Sequence, residues 1–182
     1  MYYKKLVGER IYLSPVDEND AEKYTKWLSD RKVTDGIRKT RKNVNPVGER
    51  EWLRSILEKG EYTFGIIDKE TEELIGNCGI MNINEIDGTA TLGIFIGEED
   101  KRGKGLGKET LELLLDYGFN QLRLHNIDLG VFSFNKQAIN CYKNVGFKEY
   151  GRRHESYFMD GKWFDIIEME ILEKDYRKLK RK

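Results

Sequence analysis

The sequence is poor in the residues that build metal centres and disulfide frameworks. Two cysteines and two histidines occur in 182 residues. Cys78 and Cys141 stand alone, without the spacing of metal ligands, and His125 and His154 are equally solitary, so no metal site is expected. Two free thiols suit a reducing cytosol and a cytoplasmic protein; one bridge between them is the alternative. Long apolar runs are missing too. Nothing approaches the ~20 apolar residues that cross a bilayer, and no apolar stretch follows the opening Met1-Tyr2-Tyr3-Lys4-Lys5-Leu6, so neither a membrane partner nor a signal peptide is expected. Net charge is absent: 32 basic and 32 acidic side chains balance. No global field therefore selects nucleic acid or membrane as a partner.

What remains is a heavily charged, ordinary globular composition, long enough for one domain over residues 1–182 with a real core. Residues 10–16 alternate as a strand, and Asp17 offers an N-cap to a helix carrying Ala21, Tyr24 and Leu28 on one face. Asn45-Pro46 signals a second helix, with Trp52, Leu53, Ile56 and Leu57 as its apolar stripe and Gly60 as its stop. Strands follow at 62–67, 74–83 and 90–96, the last two around an Asp87-Gly88 turn. Residues 104–122 read as the longest helix, with Lys108, Glu112, Asp116 and Asn120 toward solvent and Leu106, Leu113, Leu114 and Tyr117 toward the core. A strand at 127–132 and a helix at 136–145, closed by Gly146, precede a hairpin about Asp160-Gly161. The basic tail 178–182 reads as a frayed, solvated end; the core spans about residues 8–173.

Arg102-Gly103-Lys104-Gly105-Leu106-Gly107-Lys108 lies between a strand and the longest helix. Glycines let backbone approach a ligand closely, and a helix N-terminus offers free N–H groups and partial positive charge. Together they suit a pyrophosphate, with Arg102, Lys104 and Lys108 adding charge. A tight turn without ligand is the competing reading. The turn is not a P-loop, because Glu109 follows Lys108 where Ser or Thr is needed. Nor is it a dinucleotide fingerprint, because Lys108 or Thr110 falls where the last glycine belongs.

The second constellation runs from Phe134 through Asn135, Ala138, Asn140, Cys141, Tyr142 and Gly146 to Phe147. Asn135 opens a helix, and Tyr142 follows almost two turns later on the same face, with small Ala138 between them. That gives a groove with an amide at one end and a phenol at the other. An N-cap, a packing residue and a buried tyrosine are the competing reading.

Both segments together resemble the GCN5-related N-acetyltransferase superfamily. Arg-x-x-Gly-x-Gly is present as Arg102, Gly105 and Gly107. Asn-x-x-Ala-x-x-x-Tyr-x-x-x-Gly-Phe is present as Asn135, Ala138, Tyr142, Gly146 and Phe147. Gly8-Glu9-Arg10-Ile11-Tyr12-Leu13 and Asp160-Gly161-Lys162-Trp163-Phe164-Asp165 are similar to the branch of ribosomal-protein N-terminal acetyltransferases, with its polyamine and antibiotic acetyltransferase relatives. The resemblance implies an α/β (α+β) acyl-CoA N-acyltransferase fold. Its central sheet is mixed but mostly antiparallel, with about seven strands flanked by four helices. A splayed parallel pair forms the coenzyme A cleft.

The resemblance further implies acetyl-CoA as co-substrate, no metal, and transfer of acetyl directly to a primary amine in a ternary complex. The amine belongs to a protein N-terminus or a small molecule. A polyamine or antibiotic acetyltransferase is one alternative, and a non-catalytic acyl-CoA-binding module is another. Arg102, Gly103, Lys104, Gly105, Leu106, Gly107 and Lys108 would hold the pyrophosphate, chiefly by backbone. Ile94, Phe95 and Ile96 would pair with the pantetheine arm, Asn135 would hold that arm, and Asn140 would reach the phosphates. Tyr142, a phenol neutral at pH 7, would protonate the departing thiolate. Cys141 reads as core.

Some relatives carry a glutamate general base where Thr91 stands, which leaves water, Glu85, Glu155 or Asp165 as proton acceptor. On the acceptor side, residues 31–42 hold Arg31, Lys32, Arg38, Lys39, Arg41 and Lys42 against Asp35 alone. Such a stretch would disfavour polycations and favour acidic amines or peptide N-termini, unless it is merely a solvated loop. The sequence leaves a homodimer open.

Overall fold

The computed structural model describes residues 1–37 and 43–181. Its eight strands form a sheet in the order β1-β2-β3-β4-β5-β6-β8-β7. The strands are β1 Leu6–Val7, β2 Ile11–Pro15, β3 Tyr62–Asp68, β4 Glu73–Asn84, β5 Thr89–Ile96, β6 Asn126–Phe132, β7 Lys148–Met159 and β8 Lys162–Leu172. The helices are α1 Ala21–Ser29, α2 Arg31–Thr34, α3 Pro46–Lys59, α4 Leu106–Asn120, α5 Lys136–Val145 and α6 Glu173–Lys180. This is the α/β acyltransferase architecture the sequence implies, with one short edge strand and two short helices more than expected.

The chain divides into two compact units, Met1–Met81 with Gly93–Leu113, and Asn82–Leu92 with Leu114–Lys182. In the first, β2 pairs antiparallel with β3, and β3 with β4. Its core joins Tyr12, Tyr24, Trp27, Leu53, Ile56, Ile67 and Leu74, with Trp52 and Phe95 packed at the margin. Local chemistry sets α3: Asn45 Oδ1 accepts from the Gly48 N–H at 3.0 Å, and Gly60 ends the helix at φ 63°. That is the left-handed conformation glycine adopts without a Cβ penalty. The apolar stripe of α3 differs from the expected one. Leu57 is 44% exposed, and Glu49 joins Leu53 and Ile56 as a buried residue.

In the second unit, β5 and β6 run parallel over three pairs, Thr89↔Asn126, Ala90↔Ile127 and Thr91↔Asp128. From Leu129 to Phe132, β6 continues its antiparallel ladder with β8. β7 and β8 turn through Asp160 at φ 48° and Gly161 at φ 79°, the two positive values a tight hairpin needs. Gly146 closes α5 at φ 114°. The expected fraying of the tail is corrected in part. Lys178 lies within α6, where Tyr176 is buried and its hydroxyl donates to Asp116 Oδ1 at 2.9 Å. Lys182 lies outside the described residues. The longest helix spans 15 residues, and its core face is wider than expected: Thr110, Leu111, Leu115 and Phe119 are buried with Leu106 and Leu114. No described helix is long and apolar enough to cross a membrane.

Candidate active site

The glycine-rich turn belongs to the first unit. After β5, a short 3-10 turn at Glu99–Lys101 leads through Arg102 into α4. Gly103 and Gly105 have φ of 72° and 83°, so both need the left-handed freedom of glycine. Gly107 is different: its φ is not positive, and a Cβ there would meet nothing within 4 Å. A glycine kept where the fold has room for a side chain fits close approach of a ligand to the first turn of α4. The turn therefore fits a pyrophosphate cradle.

Arg102 corrects one expectation. Its guanidinium donates to the carbonyls of Ile96 at 2.9 Å and Gly97 at 2.6 Å, and more weakly to Lys32 O at 3.4 Å. Its donors tie the end of β5 to the turn instead of reaching out to phosphate. Lys104 and Lys108 lie on the exposed side, Lys108 beside Glu112 at 3.7 Å.

The sequence reading missed the buttress. Glu109 accepts from the Arg10 N–H at 2.8 Å, the Ile11 N–H at 3.3 Å and Arg10 Nε at 3.2 Å. Arg10 Nη1 also donates to Lys104 O at 2.8 Å. The Gly8-Glu9-Arg10-Ile11 segment thus clamps the turn, through the residue that disqualifies a P-loop. Behind it, Lys101 pairs with Asp68 at 2.8 Å. Burial pushes the Asp68 carboxyl up, but Lys101 and the N–H groups of Glu70 and Thr71 outweigh it and hold the carboxyl below its ordinary range. Lys101 is shifted up, chiefly by its hydrogen bond to Asp68. A cavity of about 430 Å³ adjoins the turn, lined by Arg10, Asp68, Lys101, Lys104 and Leu106 among others.

Ile94, Phe95 and Ile96 end β5, all partly buried, with Phe95 edge-on to Trp27 at 5.9 Å. In the stretch expected to favour acidic acceptors, Arg31 faces Asp35 at 3.5 Å and Lys32 pairs with Glu99 at 2.8 Å, so part of the expected basic charge is locally balanced. Arg38, Lys39, Arg41 and Lys42 lie outside the described residues.

Asn135, Asn140 and Tyr142 belong to the second unit. Asn135 Oδ1 caps α5 by accepting from the Ala138 N–H at 3.1 Å. That commits its carbonyl to the helix and leaves the amide NH₂ for a ligand. Asn140 is exposed. The loop before Asn135 is held by rings: Phe132 stacks on Phe134 at 5.3 Å and on Tyr157 at 4.1 Å, while Phe164 meets Phe134 edge-on at 4.8 Å. The Tyr142 ring lies edge-on to Phe147 at 5.9 Å. Its hydroxyl is desolvated by surrounding protein, which pushes it well above the ordinary tyrosine range, with neighbouring Cys141 adding to the shift. The phenol is therefore neutral at physiological pH and able to donate. Cys141 is half-buried, not the fully buried core residue expected; Cys78 is fully buried.

Among the candidate proton acceptors, Asp165 is occupied. Its carboxylate accepts from the Glu155 N–H at 3.0 Å and Arg152 Nη1 at 3.3 Å, which hold it below the ordinary range. Glu155 sits at φ 46° in a β7 irregularity, and Glu85 lies between β4 and β5. Thr91 sits opposite Asp128 in the parallel ladder.

Residues 10–148 match the family model described as an acetyltransferase (GNAT) domain. An N-acetyltransferase of Bacillus licheniformis, p20, is 30% identical over 94% of this chain and 97% of its own length. The spermidine N(1)-acetyltransferase of Vibrio cholerae is 33% identical over 70% of this chain and 73% of its own. A crystal structure of the Vibrio cholerae spermidine N-acetyltransferase with CoA and spermine superposes with a TM-score of 0.83. It is 26% identical and covers 92% of this chain and 98% of that one. These relatives are polyamine and bacterial N-acetyltransferases and do not single out the ribosomal-protein branch.

Proposed function

We propose that this chain, which belongs to the GNAT acetyltransferase family, works as one catalytic domain that moves acetyl from acetyl-coenzyme A onto a primary amine of a small cationic acceptor. Transfer is by direct attack in a ternary complex, so no enzyme nucleophile is needed. The bound co-substrate supplies an acetyl group activated as a thioester. The chain's own part is to bind, orient and move protons. N–H groups of residues 102–108 hold the pyrophosphate, with Lys104 and Lys108 adding charge. The backbone of Ile94, Phe95 and Ile96 aligns the pantetheine arm and polarises the carbonyl. Asn135 holds the arm through its amide, and Asn140 reaches the phosphates. Tyr142 gives its proton to the departing sulfur. Thr91 cannot accept the amine's proton at neutral pH, and Asp165 is tied up, so the proton leaves through water, Glu85 or Glu155.

The observation that carries the catalytic reading over a binding module is Tyr142: a desolvated phenol kept neutral on the helix Asn135 opens. The acceptor class rests on the spermidine acetyltransferase relatives. It also rests on the balancing of Arg31 and Lys32 by Asp35 and Glu99, which weakens the argument that a basic stretch repels polycations. Two free cysteines support a cytoplasmic setting. The test is acetyl-CoA turnover against a panel of spermidine, simple amines and peptides, read as free thiol. Release of thiol with small amines supports the reading; coenzyme A binding without turnover on any amine makes the chain a binding module.

A further inference from the structure

One face of the sheet in the second unit is open and polar. β5 alternates buried Ala90 and Leu92 with partly exposed Thr89 and Thr91. β6 alternates buried Ile127, Leu129 and Val131 with partly exposed Asn126 and Asp128 and exposed Gly130. β8 alternates buried Ile167, Met169 and Ile171 with partly exposed Glu168 and Glu170. The ladders set Thr91 beside Asp128, and Asp128 beside Glu170. Side chains alternate along a strand, so these three stand in one row on the open face. The Tyr150 hydroxyl is pushed up by desolvation first, then by the charges of Asp128, Glu168 and Glu170, as carboxylates sharing that face require. The two glutamates are committed. Glu168 pairs with Arg153, and Glu170 accepts from Asn126 Nδ2 at 2.7 Å. Among the described residues, no hydrogen bond or ion pair engages Asp128.

The parallel ladder ends at this row. Thr91↔Asp128 is the last β5–β6 pair, and β6 goes on with β8 alone. On the proposed reading, the coenzyme arm runs back along β5 from the turn through Ile96, Phe95 and Ile94. Its acyl end then points toward Thr91 and the last pair. The end of α5, the helix of Tyr142, packs on the other, covered face: a Cβ on Gly146 would meet Ile171, one of the buried β8 residues. The open face is left for the amine. Thr91 is no base at neutral pH, and Glu85 and Glu155 belong to neither strand of the pair. We infer that Asp128 is a catalytic residue through which the amine's proton reaches water. The neutral amine attacks the thioester carbon and the C–N bond forms. The nitrogen, now positive and acidic, gives its proton to the Asp128 carboxylate. The C–S bond breaks, and the sulfur takes the Tyr142 proton. Water carries the Asp128 proton away and returns one to Tyr142. The inference rests on the acetyltransferase reading.

The experiment measures the single-turnover rate of thiol release at saturating amine, the amine KM and calorimetric coenzyme A affinity, with spermidine and 1-aminobutane as acceptors. The proteins are wild type, Asp128→Asn, and Asp128→Asn combined with Thr91→Glu. Asparagine keeps the shape and removes the base. The rate should fall about 100-fold or more in Asp128→Asn, with coenzyme A affinity and Tm little changed. Thr91→Glu restores a carboxylate on the neighbouring strand, about 4.8 Å away, so the double variant should regain about tenfold or more of the lost rate. An unchanged rate in Asp128→Asn overturns the inference. So does a change confined to KM, which makes Asp128 only a counter-charge for the amine. A loss that Thr91→Glu leaves untouched also overturns it, because it marks a structural residue. Should Asp128→Asn not fold, Asp128→Ser answers the same question. Turnover that survives the loss of Asp128 leaves the acetyltransferase reading standing; a wild type that binds coenzyme A and turns over no amine removes both.

Discussion

Gly107→Ala and Gly105→Ala should move stability and coenzyme A affinity in ways that only a ligand cradle explains. Gly107 has room for a Cβ and no positive φ. Alanine there narrows the unfolded ensemble and suits the helix, so a gain of about 0.4–1 kcal/mol is expected. In a chain of this size that is about 1–4 °C in Tm. Gly105 has φ 83°, and its Cβ would lie 3.2 Å from Arg10 Nη2. Left-handed backbone costs an alanine about 1–2 kcal/mol, and the arginine must shift from its clamp, so Tm should drop by several degrees. Both methyl groups would stand in the way of a pyrophosphate approaching the backbone, so both variants should bind coenzyme A at least about tenfold more weakly, or about 1.4 kcal/mol. The informative variant is Gly107→Ala, in which a more stable protein should be the poorer binder. Denaturant unfolding and titration calorimetry on the same preparations decide the matter. If Gly107→Ala is more stable and binds coenzyme A as wild type does, the turn is only a turn and the phosphate assignment is refuted.

Tyr142→Phe keeps the ring against Phe147 and removes the donor. Single-turnover acetyl transfer should fall about 100- to 10,000-fold with little change in coenzyme A affinity, and equal rates across pH would make Tyr142 a packing residue. The Asp68–Lys101 pair predicts a pH window for the turn's support. The Asp68 carboxyl is held low, so its contribution is present above its unfolded value near ~4 and lost as pH falls through the folded value. Lys101 is shifted up, so its contribution is present below its unfolded value near ~10.4 and lost as pH rises through the folded one. The Tm deficit of Asp68→Asn should therefore be constant through neutral pH and shrink as pH falls below about 4; a deficit independent of acid would show that the ion pair is not its source.

The parts of the fold that local backbone chemistry decides were readable in advance. Asn45-Pro46 and Gly60 bound α3, Gly146 ends α5, and Asp160-Gly161 turns the last hairpin, each by a conformation few other residues adopt. α2 has four residues and β1 two, too short for any periodicity to register. α6 has a charged sequence whose docking depends mainly on one buried tyrosine, Tyr176, and its bond to Asp116 in a distant helix. No pattern within residues 173–180 discloses a partner that far away in sequence.

The site divides along the same line. The two signatures were legible because the glycines set the backbone of their own turn and the Asn135 side chain caps its own helix. Side-chain roles were not. Arg102 counts as one positive charge in the sequence, yet its donors close on carbonyls of the strand it follows. Glu109 counts as a misfit in a nucleotide motif, yet it fastens the turn to Arg10 and Ile11. The acceptor side shows the limit most clearly. Counting charge over residues 31–42 suggests a basic roof, but Arg31 and Lys32 are answered by Asp35 and Glu99. Beyond that stretch, Glu49 lies buried on a helix face with Leu53 and Ile56, which a charge count does not register. An ionised side chain is screened where water reaches it and acts at full strength where water does not. Which charges of a segment stay answered or unanswered is therefore decided by tertiary packing that a linear count cannot see.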